Sequence, residues 1–99
     1  MTIYRFTRSA REDLIDIWLY TQENWGEAQA DSYQDALHFC CEQIAAGRAQ
    51  VKPVPGLDRI GSHRCQHHYL FFVEQNSYAV IIAVLHERMN LIERLRDRL

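Results

Sequence analysis

The period of the hydrophobic pattern changes along this chain, and each change marks an element. Ile3 to Phe6 reads as a short strand, entered directly from Met1 and Thr2. From there the apolar positions recur at helical intervals: Ala10, Leu14, Ile17, Trp18, Thr21 and Trp25 form one stripe, with Glu12, Asp13, Asp16 and Glu23 mostly off it. Thr7 and Ser9 both offer an N-cap, Ser9 with Glu12 at capping-box spacing. Gly26 suits the left-handed residue that ends a helix. A second stripe, Ala30, Tyr33, Leu37, Cys40, Cys41 and Ile44, starts within a residue or two and is closed by Gly47. So short a joint predicts an antiparallel helical hairpin.

Arg48 to Leu57, with Pro53, Pro55 and Gly56, reads as a loop. Strand character resumes weakly from Arg59 to Cys65 and strongly in Tyr69 to Val73, and Glu74 to Ser77 reads as a four-residue hairpin turn. Tyr78 to Leu85 then runs without a charge and rich in β-branched residues, the composition of a strand buried on both faces. Asn90 is placed to cap a last helix, with Leu91, Leu95 and Leu99, helped by Ile92, on its apolar edge. The order β-α-α-β-β-β-α predicts an α+β fold, a helical hairpin across one face of a small, mainly antiparallel sheet. The first strand can return beside the last, which would bury Tyr78 to Leu85 on both sides. Residues 1–99 read as one domain.

Composition narrows the classes. The chain has 47% hydrophobic and 24% charged residues, ordinary for a globular domain. No stretch approaches the roughly 20 apolar residues of a membrane span. With no basic-then-apolar leader in the N-terminal residues, a cytoplasmic location is expected. Three cysteines, an odd number, fit a reducing compartment; Cys40 and Cys41 are helix neighbours unsuited to bonding each other and read as core fillers. Net charge is −2 but uneven. Residues 1–47 carry three Arg against eight Asp/Glu, a balance of −5; residues 48–99 carry eight Lys/Arg against five Asp/Glu, a balance of +3. The basic half favours an acidic partner segment over specific nucleic-acid binding.

Polar residues directly after a buried strand are held at the mouth of the fold, so His86, Glu87 and Arg88 are the first candidates for function. His86 and Glu87 could be an acid/base pair with Arg88 clamping a phosphate, but consecutive strand residues point to opposite faces. The favoured reading makes Arg88 a contact for an acidic partner side chain. The cations Arg94, Arg96 and Arg98 of the last helix are the candidate target-facing element. His63, Cys65 and His67 would share one face of a strand, yet a second ligand pair is missing, so a polar edge-strand face is favoured over zinc. Nothing calls for a cofactor. Trp18, Tyr20, Trp25 and Tyr33, each able to bury about 150–250 Å², are expected to pack the hairpin on the sheet, with part of the cluster left as a groove.

The run Thr7-Arg8-Ser9-Ala10-Arg11-Glu12-Asp13-Leu14, then Ile17, Tyr20-Thr21, Trp25-Gly26, Gln29-Ala30, Tyr33 and Leu37, resembles the N-terminal half of ParE toxins, within the wider RelE/ParE superfamily of type II toxin–antitoxin systems. Val84 to Asn90 resembles the family's ending, a His-x-Arg-Met-Asp/Asn segment closing the last strand. The resemblance spans about Ile3 to Leu95; Arg48 to His68 matches poorly. It implies a plasmid-stabilising type of toxin, silent while a ParD-like antitoxin is bound, that inhibits DNA gyrase by binding. Antitoxins of such toxins use an amphipathic helix and an added strand, which points to Trp18, Trp25, Tyr33, Arg59 and Arg64 as contacts. RelE-like relatives instead cut messenger RNA on the ribosome. Of three residues typical of those nucleases, the arginine beyond the last strand is kept as Arg88, while Tyr69 and Arg94 stand where a penultimate-strand arginine and a C-terminal tyrosine belong. A nuclease here would rest on Arg88 and His86. A non-toxic interaction module is the third alternative.

Overall fold

The computed structural model describes residues 3–99; Met1 and Thr2, read above as the entry to the first strand, lie outside them. The elements are β1 (Ile3–Phe6), α1 (Arg8–Trp25), α2 (Glu27–Ala45), β2 (Lys52–Val54), β3 (Leu57–Cys65), β4 (His68–Gln75), β5 (Tyr78–His86) and α3 (Leu91–Arg96). They form one sheet in the order β1-β5-β4-β3-β2. β1 lies parallel to β5, Ile3 beside Tyr78 and Phe6 beside Ile81; the other pairings are antiparallel. The expected α+β architecture is the one observed, with one strand more. β2 falls in the stretch read as a loop, because Pro53 hides strand character and is tolerated only at a sheet edge.

The helical starts and stops are local chemistry. Thr7, not Ser9, caps α1: its Oγ1 accepts from the Ala10 amide at 3.2 Å. Gly26, at φ 93°, closes α1 and opens α2 without a Cβ to oppose that conformation. The β4–β5 turn is shorter than expected: Asn76 and Ser77 alone form it, both at positive φ, the two-residue geometry that matches strand twist.

Two apolar layers sandwich the sheet. Ala10, Leu14, Leu37, Cys41 and Ile44 of the hairpin meet Leu70, Phe72, Ala79, Ile81 and Val84 on one face. On the other, Leu95 of α3 packs with Phe71, Ala83, Leu85, Ile60 and Val54. β5 is therefore buried on both sides, as its composition requires. Several aromatics depart from expectation. Trp25 and Tyr20 are 65% and 61% exposed and lie edge-to-face on each other rather than under the hairpin. Trp18 is half-buried, its indole N–H donating to Asp31 Oδ1 across the hairpin at 2.9 Å. Leu99, beyond α3, is exposed instead of completing its apolar edge.

The cysteines also differ from a set of core fillers. Cys41 is a buried free thiol as expected, but Cys40 of α2 and Cys65 of β3 are joined by a disulfide, with Cα atoms 6.3 Å apart. Helix neighbours point about 100° apart, so one can face the core while the other faces the β3 end.

Candidate functional site at the mouth of the sheet

A bulge in β5 decides what the mouth looks like. Phe71 pairs with Ala83 but Phe72 pairs with Ile81, so Ile82 is an extra residue. Before it, odd-numbered residues such as Ala79 and Ile81 face the hairpin; after it, Val84 does, and Ala83 and Leu85 face α3. Strict alternation from Ile81 would place His86 on the α3 side. The bulge moves it onto the hairpin side, against the ring of its cross-strand partner His68, with centroids 5.1 Å apart.

β1 pairs only as far as Ile81, leaving the outer edge of β5 uncovered beyond it. Side chains satisfy that edge, Thr7 Oγ1 reaching the Ile82 carbonyl at 3.5 Å. Asp13 Oδ2 accepts from the Val84 amide at 2.9 Å, and Arg98 Nη1 donates to the Ile82 carbonyl at 3.2 Å. Arg98 and Asp13 also form a two-pronged ion pair at 2.7 and 2.9 Å, with side chains only 22% and 14% exposed. The hydrogen bond to Asp13 raises the Arg98 pKa above its usual value. Arg98, expected to face a target, is committed inside the molecule. Asp13 adjoins the buried Leu14, but nothing in one sequence links positions so far apart in the chain.

The mouth carries a polar network from three elements. The Tyr33 hydroxyl of α2 accepts from the His67 amide at 3.1 Å and lies 2.6 Å from His68 Nδ1. Burial, then His86 and His67 nearby, push His68 down from 6.5 to about 4, so near neutral pH it is uncharged and can accept a hydrogen bond from the Tyr33 hydroxyl, which keeps its proton. Burial outweighs the amide hydrogen bond and raises the Tyr33 phenol. His86 Nδ1 in turn accepts from the Arg88 amide at 3.1 Å. Glu87 turns to the β3–β4 turn, where it accepts from His67 at 2.9 Å and from Arg64. The hydrogen bond from His67, with the Arg64 charge, holds the Glu87 carboxyl below its usual value.

The three sequence candidates therefore separate. His86 packs on His68, Glu87 binds the turn, and Arg88 projects into solvent with no carboxylate within ion-pair distance among the described residues. His86 and Glu87 do not form an acid/base pair. A hollow of about 390 Å³ opens beside them, lined by His68, His86, Met89, Arg94 and Arg98 but also by Asp13, Asp16 and Asp97. One of its two guanidiniums is already paired, and the acidic side chains oppose a phosphodiester. Arg94 and Arg96 are exposed and unpaired among the described residues. Of the other candidates, Tyr33 and Arg64 belong to the network just described. Arg59 lines a shallow groove with Leu57, Val73 and Leu99, and Trp25 stands free on the hairpin.

His63, Cys65 and His67 have dispersed partners: the Gln50 carbonyl at 2.8 Å, Cys40 and Glu87. β3 ends at Cys65, so His67 is in the turn and off the strand face that a metal site would need.

This fold is shared with chains of bacterial toxin–antitoxin systems. A chain of the chromosomal ParDE TA system from P. aeruginosa superposes with TM-score 0.75 at 14% identity, covering 87% of this chain and 96% of that one. A chain of the YoeB-YefM complex from Staphylococcus aureus does so with TM-score 0.60 at 16% identity, covering 87% and 97%. The family model for the ParE toxin of type II toxin-antitoxin system, parDE, matches residues 4–91, and this chain belongs to that family. It is 40% identical to Toxin ParE of Escherichia coli, over the whole chain and 98% of that protein. To Toxin ParE1 of Caulobacter vibrioides it is 37% identical, over 91% of this chain and 94% of that one.

Proposed function

We propose that this ParE-family toxin inhibits DNA gyrase by binding it and is held silent by a ParD-like antitoxin. The observation that carries this reading is the state of the mouth. Its cations Arg88, Arg94 and Arg96 are exposed and unpaired among the described residues, whereas the hydroxyl of Tyr33 and the Nδ1 lone pairs of His68 and His86 are occupied within the molecule. Such a rim recognises acidic side chains of a macromolecule, and the Tyr33 hydroxyl and one nitrogen of each histidine are engaged in holding the mouth together. The cationic rim is the target-facing surface. Trp25, Trp18 and Arg59 on the hairpin and β3 are the antitoxin contacts, with Tyr33 and Arg64 holding the β3–β4 turn between the two.

No helix of the described residues is long and apolar enough to cross a membrane. A toxin whose target is gyrase would act in the cytoplasm. The test is supercoiling by purified gyrase with the toxin, with and without the antitoxin encoded beside it. Inhibition that the antitoxin relieves is expected. Unimpaired supercoiling at stoichiometric excess, together with cleaved messages after induction, would replace this reading with a ribosome-dependent nuclease; no growth arrest at all would leave an interaction module.

A further inference from the structure

We propose that Cys40 and Cys65 are a reversible thiol–disulfide site, read by low-molecular-weight disulfides and thiols, that sets how firmly the β3–β4 turn is held to α2. The bond joins the C-terminal half of α2 to the last residue of β3, next to the turn that carries Gln66 and His67. The end of β3 and that turn present Arg64 and His67 to Glu87, so the bond acts on one side of the mouth.

Three features make the site a switch and not a permanent staple. First, the two cysteines differ in burial: Cys65 is 2% exposed, while Cys40 is only half-buried, so attack is directed to Cys40. Second, Tyr33 already ties α2 to the same turn through His67 and His68, and two apolar layers close the fold on either face. Loss of the bond therefore loosens the turn and leaves the domain folded. Third, the adjacent thiol does not interfere. Cys41 is buried, and burial together with Glu42 pushes its pKa to about 12, so it supplies almost no thiolate for exchange.

In reduction, a glutathione thiolate attacks Sγ of Cys40, the sulfur–sulfur bond breaks, and Cys65 leaves as a thiolate that takes up a proton. A second glutathione thiolate attacks the glutathione sulfur of the mixed disulfide. Glutathione disulfide departs, and the Cys40 thiolate is protonated. Oxidation is the reverse, with one glutathione disulfide consumed and two glutathione molecules released.

The experiment equilibrates the full chain, native, in glutathione buffers from fully reduced to fully oxidised. Samples are then acid-quenched, unfolded and labelled with a maleimide for intact mass. The label count is expected to pass from three to one across the series, and a non-reducing digest to recover the Cys40–Cys65 peptide pair. The bond closes a loop of sequence separation 25, so the reduced form should melt lower by on the order of 10 °C. Amide exchange in residues 62–68 should speed up on reduction. Cys41→Ala should keep the whole response, and Cys40→Ser should abolish it while the circular dichroism stays that of a folded domain. Three labels in every buffer, one label even in the most reducing buffer, or a digest pairing Cys41 would each overturn the proposal. So would equal exchange and melting in the two forms.

Discussion

Gly61 is opposite Phe72 across the β3–β4 ladder, and no larger residue fits there. A Cβ would come within 2.8 Å of the Phe72 ring and 2.9 Å of Val51 Cγ1. Phe72 is 6% exposed in the hairpin-side core and has little room to swing. Gly61→Ala is expected to destabilise the domain by about 1–3 kcal/mol, read as a lower midpoint in urea unfolding. His68 supplies a second test at this scale. Its folded value of about 4 lies below the unfolded 6.5, so between these values the unfolded chain binds more protons and stability falls as pH falls. Glu87, also held low, loses its contribution at lower pH still, as the pH drops through its folded value. Urea midpoints should be flat above pH 7 and decline toward pH 4, and His68→Asn should flatten the part between 6.5 and 4. A midpoint independent of pH across that range would contradict a neutral, buried His68.

Among the elements, α1, β5 and the segment after α3 are joined by a feature that none displays alone. The bulge at Ile82 and the short reach of β1 leave the Ile82 carbonyl and the Val84 amide to side chains from α1 and the C-terminal segment. Removing Asp13 leaves that amide without its acceptor and the Arg98 guanidinium without its counter-charge, in a site where the two side chains are mostly buried. Asp13→Ala should cost about 2–4 kcal/mol by chemical denaturation, more than a surface carboxylate would. Asp16→Ala, three residues along but exposed, should stay within about 0.5 kcal/mol of the parent.

For the whole molecule, the arginines of the C-terminal segment divide by role. Arg94 and Arg96 are exposed, whereas Arg98 is a structural partner of Asp13. The double reversal Arg94→Glu with Arg96→Glu should keep the melting temperature within a few degrees and weaken gyrase inhibition at least tenfold, or about 1.4 kcal/mol of binding. Arg98→Ala should lower the melting temperature first. An Arg94/Arg96 variant with full inhibition would remove the C-terminal rim as the target-facing surface.

Much of the fold was readable from residue order. The stripes of α1 and α2, the glycine between them and the charge-free run of β5 depend on spacing alone, and periodicity reports which side of an element meets the core. Pro53 concealed β2, since a residue that cannot donate to a ladder looks like a break until an edge is available to hold it. Of the candidate site, the sequence determined which residues stand at the mouth, because they follow the most buried strand. What each does was decided in three dimensions. A one-residue bulge turned His86 toward His68, an uncovered strand edge drew in Arg98, and the approach of α2 to β3 joined Cys40 to Cys65. Side-chain direction and partnership depend on register and on contacts between residues far apart in the chain, and local spacing carries no record of either.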